Sequence, residues 1–444
     1  MLCLYHILRK ASQGGKERKM SFQAWMVLGI FIFTLGLIAS GKTPRSVAAL
    51  LGSALIMAFH LLPSTVAVRF IDFNTIGLLI GMMIIVGVLS RTGIFQFVAV
   101  KTMKITRGSG LLTLFAIALV TATLSAFLDN VTTVLLISPV IISLADIMEM
   151  DPLPLLMAET LSSNIGGTAT LIGDPPNIII GSYAGFSFMD FLVNLAPPAF
   201  GVLLVVLVYL GFLYRKDLTI TEEQYSKILQ VNESKTIKDW RLLKQSGTVM
   251  GVILLGFLLH HVLHLEAAVI ALLGAAILLV IGKVDGRTVI HEDIEWPTLV
   301  FFACLFMIVG GLKETGVISQ VTQLLASTLK GKPVLTMLSI LWISGLLCAF
   351  INNVAFTATF VYVVHELAQV LSLNAAPLFW ALALGACLGG NGSFLGSAAN
   401  VVVADVAERS GHHIPFVKFC KVGMTTVILS LSLSSIYLYF RYTP

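Results

Sequence analysis

Charge is what this chain has least of. Only 11% of its 444 residues are Asp, Glu, Lys or Arg, against 57% that are hydrophobic. Soluble domains carry about 25% charged residues, so a water-facing globular shell is excluded, in keeping with a mean hydropathy of +0.94. Cysteine is also scarce: Cys3, Cys304, Cys348, Cys387 and Cys420 are scattered without CxxC spacing. That argues against a disulfide framework, and buried thiols in apolar windows read as packing. The formal charge of +5 is spread over loops, where basic residues are topology signals, and no nucleic-acid partner is implied. The N-terminal MLCLYHILRKASQGGKERKM lacks an apolar core long enough for a signal peptide. Residues 1–19 are therefore read as a tail, with Met20 as the natural start.

What the chain does have is apolar windows of about 18 to 20 residues, the length that a bilayer core of about 30 Å requires. They recur from end to end, except in the tail and from Arg215 to Lys244. The composition is that of an all-α, multi-pass membrane protein whose environment is a lipid bilayer. One window is broken. SNIGGTATLIGDPPN, from Ser163 to Asn177, interrupts an apolar run with glycines, prolines and polar side chains, where an unbroken helix is implausible. Backbone groups freed at membrane depth survive only where they are buried in protein or line a cavity.

Displacing the sequence by 223 positions lays the second half on the first. Val86, Gly87, Leu89, Thr92 and Gly93 fall on Val309, Gly310, Leu312, Thr315 and Gly316; Gly166, Gly167, Gly173 and Asn177 fall on Gly389, Gly390, Gly396 and Asn400. Such a repeat fixes the architecture. Each copy reads as about five spans with a hairpin and a broken helix. The hairpin tips are Asp129-Asn130 and Asn352-Asn353. Whether each hairpin is re-entrant or crosses fully is open from hydropathy, but either way the chain returns to its starting side. Each copy then crosses an odd number of times, so the copies have opposite orientation, as in secondary transporters. The expected boundaries are a first repeat at 20–214, a linker at 215–245 and a second, inverted repeat at 246–444. Lys and Arg gather on the linker side, which makes the linker cytoplasmic in an inner or plasma membrane.

Two acids stand at the interruptions. A carboxylate at the bilayer centre costs several kcal/mol and marks a proton or cation site, so Asp129 and Asp174 are the candidate proton- or ion-coupling residues, with Glu159 a weaker one. Asp129 turning a hairpin and Asp174 capping a half-helix are the structural alternatives. The candidate substrate-binding groups are Asn130, Asn164, Gly166, Gly167, Thr168, Thr170, Asn177, Asn352, Asn353, Asn391, Ser393, Ser397 and Asn400. These hydroxyls and amides either hold a small polyhydroxyl solute or satisfy unwound backbone. No Lys or Arg lies at any interruption, which suits proton or cation coupling.

No cofactor or metal is called for. GLIASGKT (Gly36 to Thr43) has the letters of a P-loop without its strand and helix, and Pro44 follows it. His365-Glu366 lacks the second His of a zincin. A membrane aspartyl protease using Asp129 and Asp174 is disfavoured, because Leu171 stands where a GxGD motif needs its first Gly. An enzyme is not expected.

FLDNVTTVLLISPV (Phe127 to Val140) and AETLSSNIGGTATLIGDPPN (Ala158 to Asn177) resemble the arsenite efflux permeases and the melanosomal P protein, both of the ion transporter superfamily. The resemblance covers essentially the whole membrane region. It implies a homodimer, each protomer having a scaffold from the first spans of both halves and a transport domain of two hairpins and two broken helices. It also implies proton-coupled export of arsenite and antimonite as neutral As(OH)3-like species, with a soluble cytoplasmic ATPase as an optional partner at the linker. A sodium/proton antiporter or an anion transporter of the same superfamily is the alternative. Dicarboxylate transporters usually carry Ser-Asn-Thr at the tips, where this chain has Asp129-Asn130-Val131 and Asn352-Asn353-Val354.

Overall fold

The computed structural model describes residues 20–107, 109–218 and 221–443, so the proposed tail at 1–19 lies outside the described residues. In the first repeat the helices are α1 (Phe22–Ala39), α2 (Arg45–Ala58), the short α3 (Ser64–Ala67), α4 (Phe73–Arg91), α5 (Ile94–Ile105), α6 (Gly110–Phe127), α7 (Asn130–Ile147), α8 (Leu153–Thr168), α9 (Pro175–Ala184) and α10 (Phe188–Tyr214). The linker contributes α11 (Glu222–Gln230). The second repeat follows with α12 (Trp240–Leu263), α13 (Ala267–Gly282), α14 (Gly286–Glu292), α15 (Trp296–Glu314), α16 (Val317–Leu329), α17 (Pro333–Cys348), α18 (Asn353–Leu371), α19 (Ala375–Gly389), α20 (Ala398–Arg409) and α21 (Phe416–Tyr442). Among the described residues, ten helices are long and apolar enough to cross a membrane.

The helix starts follow local chemistry. Ser21 accepts the Ala24 N–H at the head of α1, Asp72 caps α4 through Asn74 and Thr75, and Ser187 forms a capping box with Asp190 on α10. The turns ending α4 and α15 fall at equivalent positions, Gly93 and Gly316, with φ of +82° and +78°. Only glycine enters that left-handed region without a steric penalty. Helix α12 begins at Trp240, earlier than the expected 246, because the Asp239 carboxylate accepts the N–H groups of Arg241 and Leu242.

The repeats are inverted, as two contacts at opposite ends of equivalent helices demonstrate. Arg91, the last residue of α4, donates to both Asp293 oxygens at 3.0 Å just before α15 begins. At the other end the Phe70 ring, just before α4, lies against Gly310, with the Lys313 ammonium 5.8 Å from its centre. The head of one helix thus meets the tail of its counterpart.

Packing sorts the helices into two bodies. In one, α2 lies along α15 and α4 along α13, with α1 and α12 outside them; in the other, α6 packs on α8, α17 on α19, α7 on α20 and α9 on α18. Both feet of the first hairpin, α6–α7, stand at the linker end. Gly110 abuts the Leu218 carbonyl, Asp146 meets His412 and Glu149 meets Lys227. The tip reaches the break after α8, where Asn130 donates to Asn164 at 3.0 Å. The hairpin thus enters from the linker end and turns beside the broken helix. The linker is tied down as well: Lys238 N–H donates to the Thr92 carbonyl, and the Lys104 ammonium holds the Glu233 carboxyl below its usual range by a hydrogen bond.

The approach of hairpin to broken helix depends on missing side chains. A Cβ on Gly166 would lie 2.1 Å from the Ala122 carbonyl oxygen, and one on Gly389 would lie 2.4 Å from that of Gly345. Since backbone cannot swing aside, Gly166→Ala is expected to destabilise the protein by about 3 kcal/mol. Gly29→Ala, which meets nothing within 4 Å, should not. Thermal unfolding of both variants in detergent checks the contrast.

Candidate functional site

The breaks are shorter than the sequence suggests. Helix α8 runs on through Ser163, Asn164, Gly166 and Gly167 to Thr168, leaving Ala169 to Asp174 unwound; in the second repeat the 3-10 turn Gly390–Gly392 and the residues up to Ser397 do the same. Each break is sewn to its hairpin by the same pair of bonds. Thr170 donates to the Ala126 carbonyl, and its counterpart Ser393 donates to that of Ala349 at 2.5 Å. Asn177 donates to the carbonyls of Gly167, Thr168 and Thr170. Asn400 does likewise to Gly390 and Ser393, at 2.7 Å each. These amides satisfy unwound backbone, as buried polar groups in lipid must.

Asn164 joins the two copies. Its Nδ2 donates to Asn391 Oδ1 at 2.8 Å and Asn400 Oδ1 at 2.9 Å, while its Oδ1 accepts from Asn130 Nδ2 at 3.0 Å and Ser397 Oγ at 2.9 Å. All four hydrogen-bonding positions of one amide are thus used, three of them across the pseudo-two-fold. The equivalent position in the second repeat is Cys387, whose Sγ makes weaker contacts, to Asn177 Oδ1 at 3.4 Å and to Asp174 and Thr168. The two copies share a scaffold but not a chemistry.

In front of this junction lies a cavity of about 1310 Å³. Of the residues predicted from sequence, Asp129, Asn130, Asp174, Asn352, Asn353 and Ser397 line it. Asn164, Thr168, Thr170, Asn177, Asn391, Ser393 and Asn400 are buried behind them, and Gly166 and Gly167 serve close packing. The cavity extends past α1 to the exposed Lys42 and to Arg45, and to Glu295 at the head of α15. Those three charged side chains were not foreseen, because they sit in loops far in sequence from the interruptions. Toward the opposite end aromatic side chains pack beyond the break, beside a separate pocket of about 270 Å³. Tyr183 packs edge-on to Tyr362 at 4.8 Å and Phe186 stacks on Trp380 at 4.4 Å, with the Lys313 ammonium 4.8 Å over Tyr362. The cavity consequently reaches one face only, the linker end.

The two acids differ. Asp129 caps α7, accepting the Thr132 N–H at 2.8 Å and the Thr132 hydroxyl. Asp174 is buried and makes no cap bond to α9, which opens with Pro175 and Pro176. Its oxygens face Asn353 Nδ2 at 3.5 Å. Four helices, α7, α9, α18 and α20, begin here, so their positive ends point at the cavity floor. Glu159 lies elsewhere, buried in α8 with the Ser138 hydroxyl as its partner at 2.9 to 3.0 Å. No group of three or more His, Cys, Asp or Glu among the described residues could hold a metal ion.

Comparison with known proteins agrees with this architecture. The family described as Citrate transporter (CitMHS) matches residues 35–385. A 46 kDa membrane protein of Mycobacterium leprae is 40% identical over 94% of this chain and 98% of its own length. An uncharacterized transporter of Mycobacterium tuberculosis is 39% identical over 93% and 97%. The mouse P protein is 35% identical over 89% of this chain, which spans 57% of that longer protein. Among solved structures, the YdaH transporter of Alcanivorax borkumensis (14% identical, TM-score 0.56, covering 94% of this chain and 98% of that one) has a similar fold. So does MtrF of Neisseria gonorrhoeae, at 11% identity and TM-score 0.58, covering 98% and 97%.

Proposed function

The chain belongs to the citrate transporter (CitMHS) family of membrane transporters, and on that premise we propose that it is a proton-coupled secondary carrier whose solute binds in the cavity between the two hairpin tips. The observation that carries this reading is the placement of Asp129 and Asp174 on one cavity that reaches a single face, at the junction of two inverted breaks. A proton on Asp174 would alter the site's charge as access alternates between the faces. With the linker on the cytoplasmic side by the distribution of Lys and Arg, the state described here faces inward. The homodimer, and an ATPase at the linker, belong to the same proposal.

For the solute, the resemblance to arsenite permeases supports export of neutral arsenite and antimonite hydroxides, which the amides and hydroxyls of the cavity floor can hydrogen-bond. A second reading, a small carboxylate anion, is favoured by Lys42 and Arg45 on the cavity wall, by the helix N-termini at its floor and by the family's description. Proteoliposomes containing the purified protein separate the two. Proton flux is recorded on addition of arsenite, antimonite, citrate, a dicarboxylate or sodium, and the carrier reading expects flux with one of these classes. Flux with none of them, or flux unchanged by any solute, would defeat it.

A further inference from the structure

Glu295 is the second-repeat counterpart of Asp72, and the two behave differently. Asp72 accepts the N–H groups of Asn74 and Thr75 at 3.0 and 3.2 Å and the Thr75 hydroxyl at 2.6 Å. Glu295, one methylene longer, makes no capping bond to α15. Its carboxylate takes the Thr298 hydroxyl at 3.0 Å and lines the cavity. Asp129 on the first hairpin tip and Arg45 at the head of α2 are its charged neighbours. Lys42 and Asp174 are the other charged groups on the cavity wall. Glu295 and Arg45 stand on the body built from α2, α4, α13 and α15, whereas Asp129 stands on the body of hairpins and broken helices. Two acids on different bodies therefore line one cavity, where each feels the other's charge.

We propose that Glu295 and Asp129 form an inter-domain acid pair that binds a proton in the cavity-open state and loses it when the hairpin body moves away, with Arg45 setting the pH at which this happens. The proposal rests on the carrier reading above and adds a residue and a regulation to it. Two carboxylates in one cavity repel unless one of them is protonated, and that repulsion weakens when the bodies carrying them move apart. By linkage, proton uptake favours the state that brings them together. Lowering the pH populates the cavity-open state and raising it depopulates that state. Asp129 already has two donors from Thr132, which suit its ionised form. The Thr298 hydroxyl can donate to Glu295 or accept from it, so Glu295 is the better proton carrier of the two. Arg45 opposes the repulsion, so its removal should move the transition to higher pH.

The test needs no knowledge of the solute. Val401→Cys, on the cavity wall, is placed in a background with Cys3 and Cys420 replaced by Ser. Its modification by a water-soluble maleimide is measured against pH in proteoliposomes, normalised to Glu223→Cys on the exposed linker so that thiol ionisation cancels. The expected result is a normalised rate about tenfold higher at low pH than at high pH, the ratio that about 1.4 kcal/mol of coupling produces. Glu295→Gln should flatten this dependence. Glu295→Asp, which can return to capping as Asp72 does, should flatten it while keeping an acid and the fold. Arg45→Gln should raise the midpoint by about one pH unit. A pH dependence that survives both Glu295 variants, or is absent from the parent, overturns the proposal. Intact dependence in a protein that moves no solute would instead sink the carrier reading.

Discussion

Replacing Asp174 with Asn is expected to reduce proton-driven transport by about a hundredfold, the upper range of coupling between two sites, while leaving the melting temperature in detergent nearly unchanged. The amide has the size and planarity of the carboxylate and offers Asn353 Nδ2, now 3.5 Å from both oxygens, the same acceptor. It cannot take up and release a proton. The other repeat supplies no second copy of it, because the equivalent position there is Ser397, whose hydroxyl is committed to Asn164. Flux and thermal unfolding measured on one preparation check both halves of the expectation. Full activity in Asp174→Asn would show that Asp174 only fills space at the head of α9.

The largest effect on stability is expected from Asn164→Ala. Truncation removes four buried hydrogen bonds at once and strands the oxygens of Asn391 and Asn400, the amide of Asn130 and the hydroxyl of Ser397. Each buried group left without a partner costs about 1–3 kcal/mol, and lipid offers no water to replace it. Asn400 and Asn130 each keep another contact or can shift, so the expected loss is about 4 kcal/mol and not the full sum. At the mirrored position, Cys387→Ser should cost less than about 1 kcal/mol, since a hydroxyl of similar reach keeps the weak thiol contacts to Asn177 and Asp174. Chemical denaturation of the two variants in the same detergent reads the contrast. Equal losses would mean that the junction is held by packing around it and not by this amide.

Much of the architecture is legible in the residues. The repeat shows because glycines and amides at the breaks match at a fixed offset, and hydrophobicity alone does not produce such matches. The inversion follows from an odd number of crossings, and the Arg91–Asp293 contact bears it out. Other features were hidden for definite physical reasons. The first break is shorter than it reads in sequence, because Gly166 and Gly167 look like helix breakers yet stay helical, Gly166 letting the hairpin backbone approach and Gly167 the break's own backbone at Gly173. Where the first hairpin turns is set by long-range contacts such as Asn130 with Asn164, which no local pattern encodes. In sequence the site reads as acids, amides, hydroxyls and glycines, without a basic group. Lys42, Arg45 and Glu295 reach the cavity from loop and helix-head positions that carry only a topology signal in sequence. A comparison of the repeats at that offset holds one clue, since Glu295 replaces the ordinary capping residue Asp72.

The central claim is that one cavity between two inverted breaks exchanges a proton for a solute. It is tested most directly by imposing a pH difference across proteoliposomes that hold the transported solute at equal concentration inside and out. The account predicts that solute accumulates on one side until the pH difference is dissipated, and that Asp174→Asn vesicles remain at equal concentrations. Solute that stays balanced in wild-type vesicles while the pH difference persists, or accumulation undiminished by Asp174→Asn, would contradict it.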